Sequence, residues 1–169
     1  MNKYQTSIDL LNKGVRMETT ASLQYMDFHV RLDDIGYKYL AKIFKRVAIQ
    51  EMKHTEEFAE RILFLEGDFD MMPDQKVVKI SDKDVKAILQ KGIDLEQNTI
   101  DSYNDWARLC GDAKDATSKR IFESLIAEEE EHLDTFRTEL DNLERYGDNY
   151  LALQSIAESK EVSKHIGHE

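Results

Sequence analysis

The sequence predicts an all-α protein: a bundle of four long helices, with a long crossover between the second and third helices and a short fifth helix at the C-terminus. Apolar residues recur at helical spacing along most of the 169-residue chain. Proline occurs once and the seven glycines are scattered, so the chain can form long uninterrupted helices. A coiled coil would show a similar periodicity, but the breaks at Gly36, Gly67 and Gly111 favour a chain that folds back on itself.

Each predicted helix is bounded by residues that start or stop helices. Asp33 to Gly36 end the first helix, Gly67 ends the second, and Ser81 to Asp84 form a cap-like start for the third. Residues 67–81 contain the only proline and form the predicted crossover, which joins two helical hairpins. The predicted helices span about residues 5–34, 37–66, 81–110, 113–145 and 149–160.

Composition and charge narrow the classes of function. Hydrophobic residues make up 41% of the chain and charged residues 34%, so we expect one domain over residues 1–160 and a flexible tail over residues 161–169. The net charge of −11 argues against a nucleic-acid partner and is compatible with cationic partners such as metal ions.

The single cysteine, Cys110, fits a reducing cytoplasm. The polar N-terminal segment is unlike a signal peptide, and no apolar run approaches the roughly 20 residues of a membrane span.

An internal repeat singles out residue types that carry chemistry. Glu51 and His54 form a Glu-x-x-His pair, whose two side chains project from one helix face. Glu18, Tyr25, Glu51 and His54 are each followed 78 positions later by a residue of the same type, at Glu96, Tyr103, Glu129 and His132. A chance match is plausible for one glutamate, but far less so for four positions that include two histidines and two tyrosines.

Helical phase identifies which glutamate of the run at residues 128–131 faces the core. At about 100° per residue, Glu129 falls in the middle of an apolar stripe, while the other three glutamates of the run point away from it. The stripe consists of Phe122, Ile126, Leu133, Phe136, Leu140 and Leu143. Glu51 is centred in the same way on the second helix, and Glu18 and Glu96 each share a face with apolar residues.

Four carboxylates and two imidazoles that converge in one core require compensation. Left unpaired they would be very costly to bury, and no Lys or Arg lies in matching phase. A bound pair of divalent cations is the simplest solution, and oxygen ligands with two nitrogens suit iron or manganese better than structural zinc. A lone Glu-x-x-His is weak evidence for a metal site, and Glu18 or Glu96 alone would be read as surface charge. Tyr25 and Tyr103 are open between core tyrosines and hydrogen-bond partners or electron donors of the metal site.

Four segments of the chain match a known family. They are LNKGVRMETTASLQYMDFH (11–29), EMKHTEEFAERILFLEG (51–67), EEEEHLDTFRTELD (128–141) and GDNYLALQ (147–154). On these segments the chain resembles the bacterioferritins over about residues 5–157, most closely the haem-carrying members of anaerobic bacteria. The resemblance implies a ferritin-like four-helix bundle, and the ligand pattern agrees with the di-iron carboxylate proteins of that fold.

The resemblance also implies a function that spacing does not show. It implies iron storage and detoxification in a hollow 24-subunit cage built from two-fold dimers, with a ferroxidase centre of two irons per subunit that oxidises Fe(II) with O2 or H2O2. An electron-donor protein such as a ferredoxin or rubredoxin is an implied partner. Glu51 and Glu129 become the bridging ligands, and Tyr25 joins the catalytic set. The implied iron ligands are Glu18, Glu51, His54, Glu96, Glu129 and His132.

Met52 directly follows a candidate ligand, so its side chain points about 100° away from the metal core. The residues alone favour a plain hydrophobic contact between subunits. The resemblance implies instead that Met52 and its two-fold mate ligate one haem shared between two subunits, for which a thioether is a sound ligand. Leu23, Met26 and Ile49 would line that pocket.

The sequence departs from the family at several positions. Some members carry an acidic residue just before the bridging glutamate of the second helix and a histidine one turn earlier, where this chain has Gln50 and Arg46. An iron or electron route through these positions is therefore not supported. His165 and His168 are expected to be solvated tail residues, and Cys110 a core residue.

Three alternative functions remain open at this point. They are a 12-subunit stress-defence cage, a di-iron peroxide reductase or hydroxylase, and a bundle in which metals only stabilise the fold. The predicted fifth helix favours the 24-subunit form. One cysteine cannot build the rubredoxin module that a peroxide reductase of this type usually carries.

Overall fold

The computed structural model describes residues 2–166, which contain five α-helices and no strand. The helices are α1 (Gln5–Asp34), α2 (Lys38–Phe64), α3 (Val85–Asp112), α4 (Ala116–Tyr146) and α5 (Asp148–Ile166). α1 packs against α2 and α3 against α4 as two hairpins, and α5 packs on α2 and α4. The predicted all-α bundle, with its long crossover between the second and third helices and its fifth helix, is confirmed.

The starts of α3 and α4 are set by aspartate caps. The Asp84 carboxylate accepts a hydrogen bond from the backbone N–H of Ala87 at 3.0 Å, and Asp115 accepts one from Ser118 at 3.1 Å. Each cap satisfies a backbone donor that has no partner within its helix. α3 therefore begins at Val85, just beyond the cap-like segment seen in the sequence.

The fifth helix is longer than predicted. It continues to Ile166 instead of ending near residue 160, because no glycine or proline interrupts the chain between Gly147 and Gly167. The first part of the predicted tail is therefore helical. The side chain of His165 and the whole of His168 lie outside the described residues.

The crossover, residues 65–84, runs along α1 in the same direction as that helix. The buried Gln24 amide accepts from the backbone N–H of Val78 at 2.7 Å and donates to the Val78 carbonyl at 3.0 Å. Four residues earlier in both α1 and the crossover, the Thr20 hydroxyl donates to the Asp74 carboxylate at 2.5 Å. Polar side chains of α1 thus form hydrogen bonds with the crossover, which has no helix or sheet to satisfy its backbone groups.

The apolar core is divided into two clusters along the bundle. One cluster contains Phe28, Phe44 and Phe136, and the other contains Phe58 and Phe122. On each of the four long helices, the candidate metal ligands fall in sequence between the residues of the two clusters. The ligands therefore form a polar layer with close-packed apolar side chains above and below, which exclude water from it.

The 78-residue repeat extends to the packing around this layer. Gly14 lies against the ring of Phe58, where an added Cβ would come within 2.7 Å of the ring, and Gly92 lies against Phe136 in the same way, at 2.9 Å. These two glycine–phenylalanine pairs are themselves related by the repeat. Close helix approach is thus built symmetrically on both sides of the candidate site.

Candidate metal centre

The four long helices bring all six predicted ligands into one buried cluster. α1 and α3 each contribute one glutamate, and α2 and α4 each contribute a Glu-x-x-His pair. Every one of these side chains is at most 4% exposed. The residues are Glu18 on α1, Glu51 and His54 on α2, Glu96 on α3, and Glu129 and His132 on α4.

The ligand atoms form two overlapping sets of four. One set is Glu18, Glu51, His54 and Glu129, and the other is Glu51, Glu96, Glu129 and His132. Within each set the candidate ligand atoms lie within 4.8 Å of one another. Both sets share the same two glutamates, from α2 and α4. This is the arrangement expected of two adjacent cations that share a pair of bridging carboxylates.

Close approach within the cluster gives a hydrogen bond between His132 Nδ1 and Glu129 Oε2 at 3.3 Å, but it leaves several other buried polar atoms without one. His54 Nδ1 lies 3.0 Å from Glu51 Oε2 and 2.9 Å from Glu129 Oε1. Even so, this nitrogen, both Glu51 oxygens and Glu129 Oε1 have no hydrogen-bond partner among the described residues. Unpaired buried polar atoms are rare and costly. These unpaired atoms belong to residues that could hold a cation between them.

The pKa values of the cluster show that bound protons offset part of its negative charge when no cation is present. Burial, together with the charges of Glu129 and Glu51, raises the pKa of Glu18 well above its ordinary value. Burial and the charge of Glu51 do the same to the pKa of Glu96. Burial lowers the pKa of His132, but its hydrogen bonds with nearby carboxylates outweigh that effect and raise the value to about 12. Without metal, the cluster therefore retains protons at neutral pH.

Binding of Zn(II) to the metal-free protein is expected to release protons. Ligating imidazoles and carboxylates must lose the protons that the raised pKa values hold in place. Metal affinity should accordingly rise with pH. A pH indicator in weakly buffered solution near pH 7 measures the release, and titrations at about pH 6 and 8 measure the affinity. An affinity that is equal at both pH values would contradict this expectation.

Two tyrosines link the halves of the cluster crosswise. The Tyr25 hydroxyl of α1 donates to Glu96 of α3, and the Tyr103 hydroxyl of α3 donates to Glu18 of α1. Both tyrosines are fully buried. Each hydroxyl holds one oxygen of its glutamate and so orients the carboxylate. This is the hydrogen-bond partnership that the sequence left open, and the catalytic role of Tyr25 stays a prediction.

Glu128 has a contact that the sequence did not predict. Like Glu130 and Glu131 it is exposed, as helical phase indicates. Its Oε2 nevertheless lies 3.1 Å from Nε2 of the buried His54. The signal in the sequence was weak: position 128 directly precedes a ligand, but periodicity alone does not show that a long side chain on α4 reaches a ring on α2.

Met52 lies outside the ligand cluster. It is 58% exposed, and the other predicted pocket residues, Leu23, Met26 and Ile49, are also exposed, at 46%, 37% and 37%. Cys110 is fully buried, as expected of a core residue. Across residues 2–166, no helix is both long enough and apolar enough to cross a membrane.

Comparison with known proteins places this arrangement in a family. The Ferritin family model, a ferritin-like domain, matches residues 8–146. The chain is 39% identical to the bacterioferritin of Desulfovibrio desulfuricans over 145 residues, which cover 86% of this chain and 80% of that protein. It is 32% identical to the bacterioferritin of Brucella melitensis, with coverage of 92% and 95%.

Solved structures agree with these relatives. An X-ray structure of the Desulfovibrio desulfuricans bacterioferritin, concerned with its diiron site in different catalytic states, superposes with a TM-score of 0.86 at 36% identity and covers 91% of each chain. The Rhodobacter capsulatus bacterioferritin, with a metal-free dinuclear site and a haem iron, gives 0.84 at 30% identity, with coverage of 89% and 93%. The chain therefore belongs to the bacterioferritin family of ferroxidases, within the ferritin-like fold.

Proposed function

We propose that this protein stores and detoxifies iron by oxidising Fe(II) to Fe(III) at an intrasubunit dinuclear centre inside a hollow 24-subunit cage. The observation that carries the proposal is the pair of ligand sets that share Glu51 and Glu129. Each set offers three carboxylates and one imidazole to one cation. Such a site suits two adjacent Fe(II) ions and places them within reach of one oxidant molecule.

Charge balance explains how the same site can both bind and release iron. Four ionised carboxylates offset the four positive charges of two Fe(II) ions. Transfer of one electron from each iron reduces O2 to H2O2, or H2O2 to two waters, with uptake of two protons. The product pair carries two further positive charges, which the ligands do not neutralise. Fe(III) therefore hydrolyses readily, and the net charge of −11 favours retention of the cations close to the protein.

Stopped-flow oxidation of added Fe(II), with O2 and separately with H2O2, tests the catalytic proposal. We expect the Glu51→Ala/His54→Ala variant to lose at least about 100-fold in initial rate, since even partners that only orient a ligand contribute 10–100-fold. The matched control is Glu56→Ala/Lys53→Ala, which changes two exposed residues of the same helix turns. Equal rates for wild type and the ligand variant would remove the enzymatic proposal.

The assembly proposal rests on the resemblance and on α5. This helix packs on α2 and α4 and leaves Leu153 and Ile156 more than half exposed, at 65% and 53%, as expected of a helix that meets other subunits. Light scattering during size exclusion should give a mass near 24 protomers. A mass near 12 protomers would favour the stress-defence cage instead.

We expect Met52→Leu to abolish haem binding and to leave the assembly intact. Met52 is exposed, so a two-fold mate can approach it, and leucine keeps the apolar volume but has no atom that can ligate iron. The Soret absorption of protein reconstituted with haem measures the loss. Met72→Leu, which changes an equally exposed methionine of the crossover, should retain the band. A full Soret band in the Met52 variant would contradict the haem proposal.

The proposal also includes an electron-donor partner and a cellular location. A haem held by Met52 residues of two subunits would supply one-electron chemistry at that interface, and a small donor protein such as a ferredoxin or rubredoxin is the proposed source of electrons for iron release. Reduction of the bound haem by such a donor, followed by Fe(II) release, is the measurement that checks it. The proposed location is the cytoplasm, in keeping with a single cysteine that is buried and not disulfide-bonded.

A further inference from the structure

The two histidines of the centre differ in the contacts of Nε2, the ring nitrogen that points away from the shared glutamates. His54 turns Nδ1 towards the shared glutamates and Nε2 towards Glu128, whose Oε2 lies 3.1 Å away. His54 is 3% exposed, whereas the Glu128 side chain is 49% exposed. A buried ring is thus tied from outside by a carboxylate on the neighbouring helix. A proton on Nε2 that is donated to Glu128 leaves the lone pair of Nδ1 directed at the metal position.

His132 also directs Nδ1 towards the shared glutamates, but it has no counterpart of Glu128 at Nε2. Its Nδ1 lies 3.0 Å from Glu51 Oε1 and 3.3 Å from Glu129 Oε2. Its Nε2 is buried and has no hydrogen-bond partner among the described residues. The 78-residue repeat that relates the two histidines also relates Glu128 to Gln50. The position that would supply the second carboxylate partner therefore holds a neutral, half-buried amide.

We propose that Glu128 is a positioning residue that makes the two metal positions unequal, so that the first cation is bound by the set containing Glu18 and His54. The inference rests on the proposed function, because it assigns an order to the two Fe(II) ions of that same centre. The two halves of the repeat differ at this point, since Glu128 on one side is matched by Gln50 on the other.

The physical basis is the effect of an outer carboxylate on a ligating imidazole. Such a partner fixes the tautomer and the ring orientation and raises the basicity of the ligating nitrogen, and its loss typically weakens metal binding 10–100-fold. His54 has this support and His132 does not. The expected ratio of the two affinities is therefore about 10–100. The weaker position, with Glu96 and His132, is the one from which an ion exchanges first.

Co(II) binding to the intact metal-free assembly tests the inference without any turnover. Calorimetric titration of wild type should show two unequal steps per subunit. In crystals prepared with one Co(II) per subunit, anomalous scattering should place the metal mainly at the Glu18 and His54 position. Glu128→Ala should weaken the tighter step about 10–100-fold and equalise the two occupancies, and Glu128→Gln, which keeps an acceptor oxygen, should recover part of the difference. Glu130→Ala, an exposed glutamate on the same helix, should behave as wild type.

Gln50→Glu supplies a gain-of-function arm that does not depend on a damaged site. It restores a carboxylate at the repeat-related position and should tighten the weaker step towards the stronger one. Equal occupancies in wild type, a preference for the Glu96 and His132 position, or a Glu128→Ala variant indistinguishable from Glu130→Ala would overturn the inference. Unequal Co(II) binding in a protein that does not oxidise Fe(II) would leave the inference standing and remove the ferroxidase proposal.

Discussion

Replacing Glu129 with alanine is expected to abolish Fe(II) oxidation, whereas replacing Glu131, two residues away, is expected to leave it unchanged. Both residues belong to one run of four glutamates. Glu129 is fully buried, lies in both ligand sets and is 2.9 Å from His54 Nδ1. Glu131 is exposed on the opposite side of α4 and belongs to neither ligand set.

The expected size of the effect follows from the sharing of Glu129. Its loss removes one ligand from each of the two metal positions and the link between them, so the initial rate should fall by more than about 100-fold. Co(II) titration should no longer show two ions bound per subunit. Light scattering checks that the variant still assembles. A Glu129→Ala protein that retains the wild-type rate, or a Glu131→Ala protein that loses it, would contradict the assignment.

Asp115→Ala is expected to destabilise the metal-free protein by about 3–5 kcal/mol. Asp115 lies 2.7 Å from Nη2 of Arg61, a side chain only 12% exposed, and joins the end of α2 to the start of α4. It also caps α4, accepting from the Ser118 backbone at 3.1 Å and from the Ser118 hydroxyl at 2.6 Å. The substitution removes the cap and leaves a largely buried guanidinium without its carboxylate partner, with only the hydrogen bond from Arg61 Nε to the Ser118 hydroxyl at 3.0 Å.

Chemical denaturation of the metal-free protein measures this loss. Asp112→Ala breaks a pair with Arg108 whose side chains are 63% and 67% exposed, and it should leave the denaturation midpoint unchanged within error, because exposed pairs contribute little. Equal midpoints for Asp115→Ala and Asp112→Ala would contradict the expectation. Replacing Asp115 together with Arg61 by apolar residues should recover much of the loss, since no unpaired charge then remains.

The pH dependence of this contribution has a definite sign. Burial raises the pKa of Asp115, but hydrogen bonds from Ser118 and the charge of Arg61 outweigh it, so the pKa in the folded protein is lowered. The stabilisation is therefore fully present above the ordinary aspartate range near pH 4 and is lost as pH falls through the lower folded value. The difference between wild type and Asp115→Ala should shrink in acid.

The clustering of the candidate ligands could be predicted from sequence because two independent signals agreed on the same residues. Glu129 was separated from its acidic neighbours by its phase in the apolar stripe and by its repeat partner Glu51, and the structure places both in the shared position of the cluster. The end of α5 was less predictable. Nothing in residues 161–166 marks a break, and the helix continues through them to Ile166.

Long side-chain contacts between helices were not predictable in this way. The reach of Glu128 to His54 and the crossed bonds of Tyr25 to Glu96 depend on the distance and rotation between two helices. Periodicity places each residue on a face of its own helix, but it contains no information about what the neighbouring helix presents at the same height.

The sequence by itself determined which faces of the four helices are apolar, which six residues interrupt them, and that the two halves of the chain repeat the pattern. These are local properties, since about 100° of rotation per residue assigns every side chain to a face. Only the tertiary structure decided how the halves meet: which carboxylates are shared, which tyrosine serves which glutamate, and which histidine receives an outer partner. Those choices arise from packing across helices, which gives His54 the carboxylate of Glu128 and leaves His132 Nε2 without a partner among the described residues.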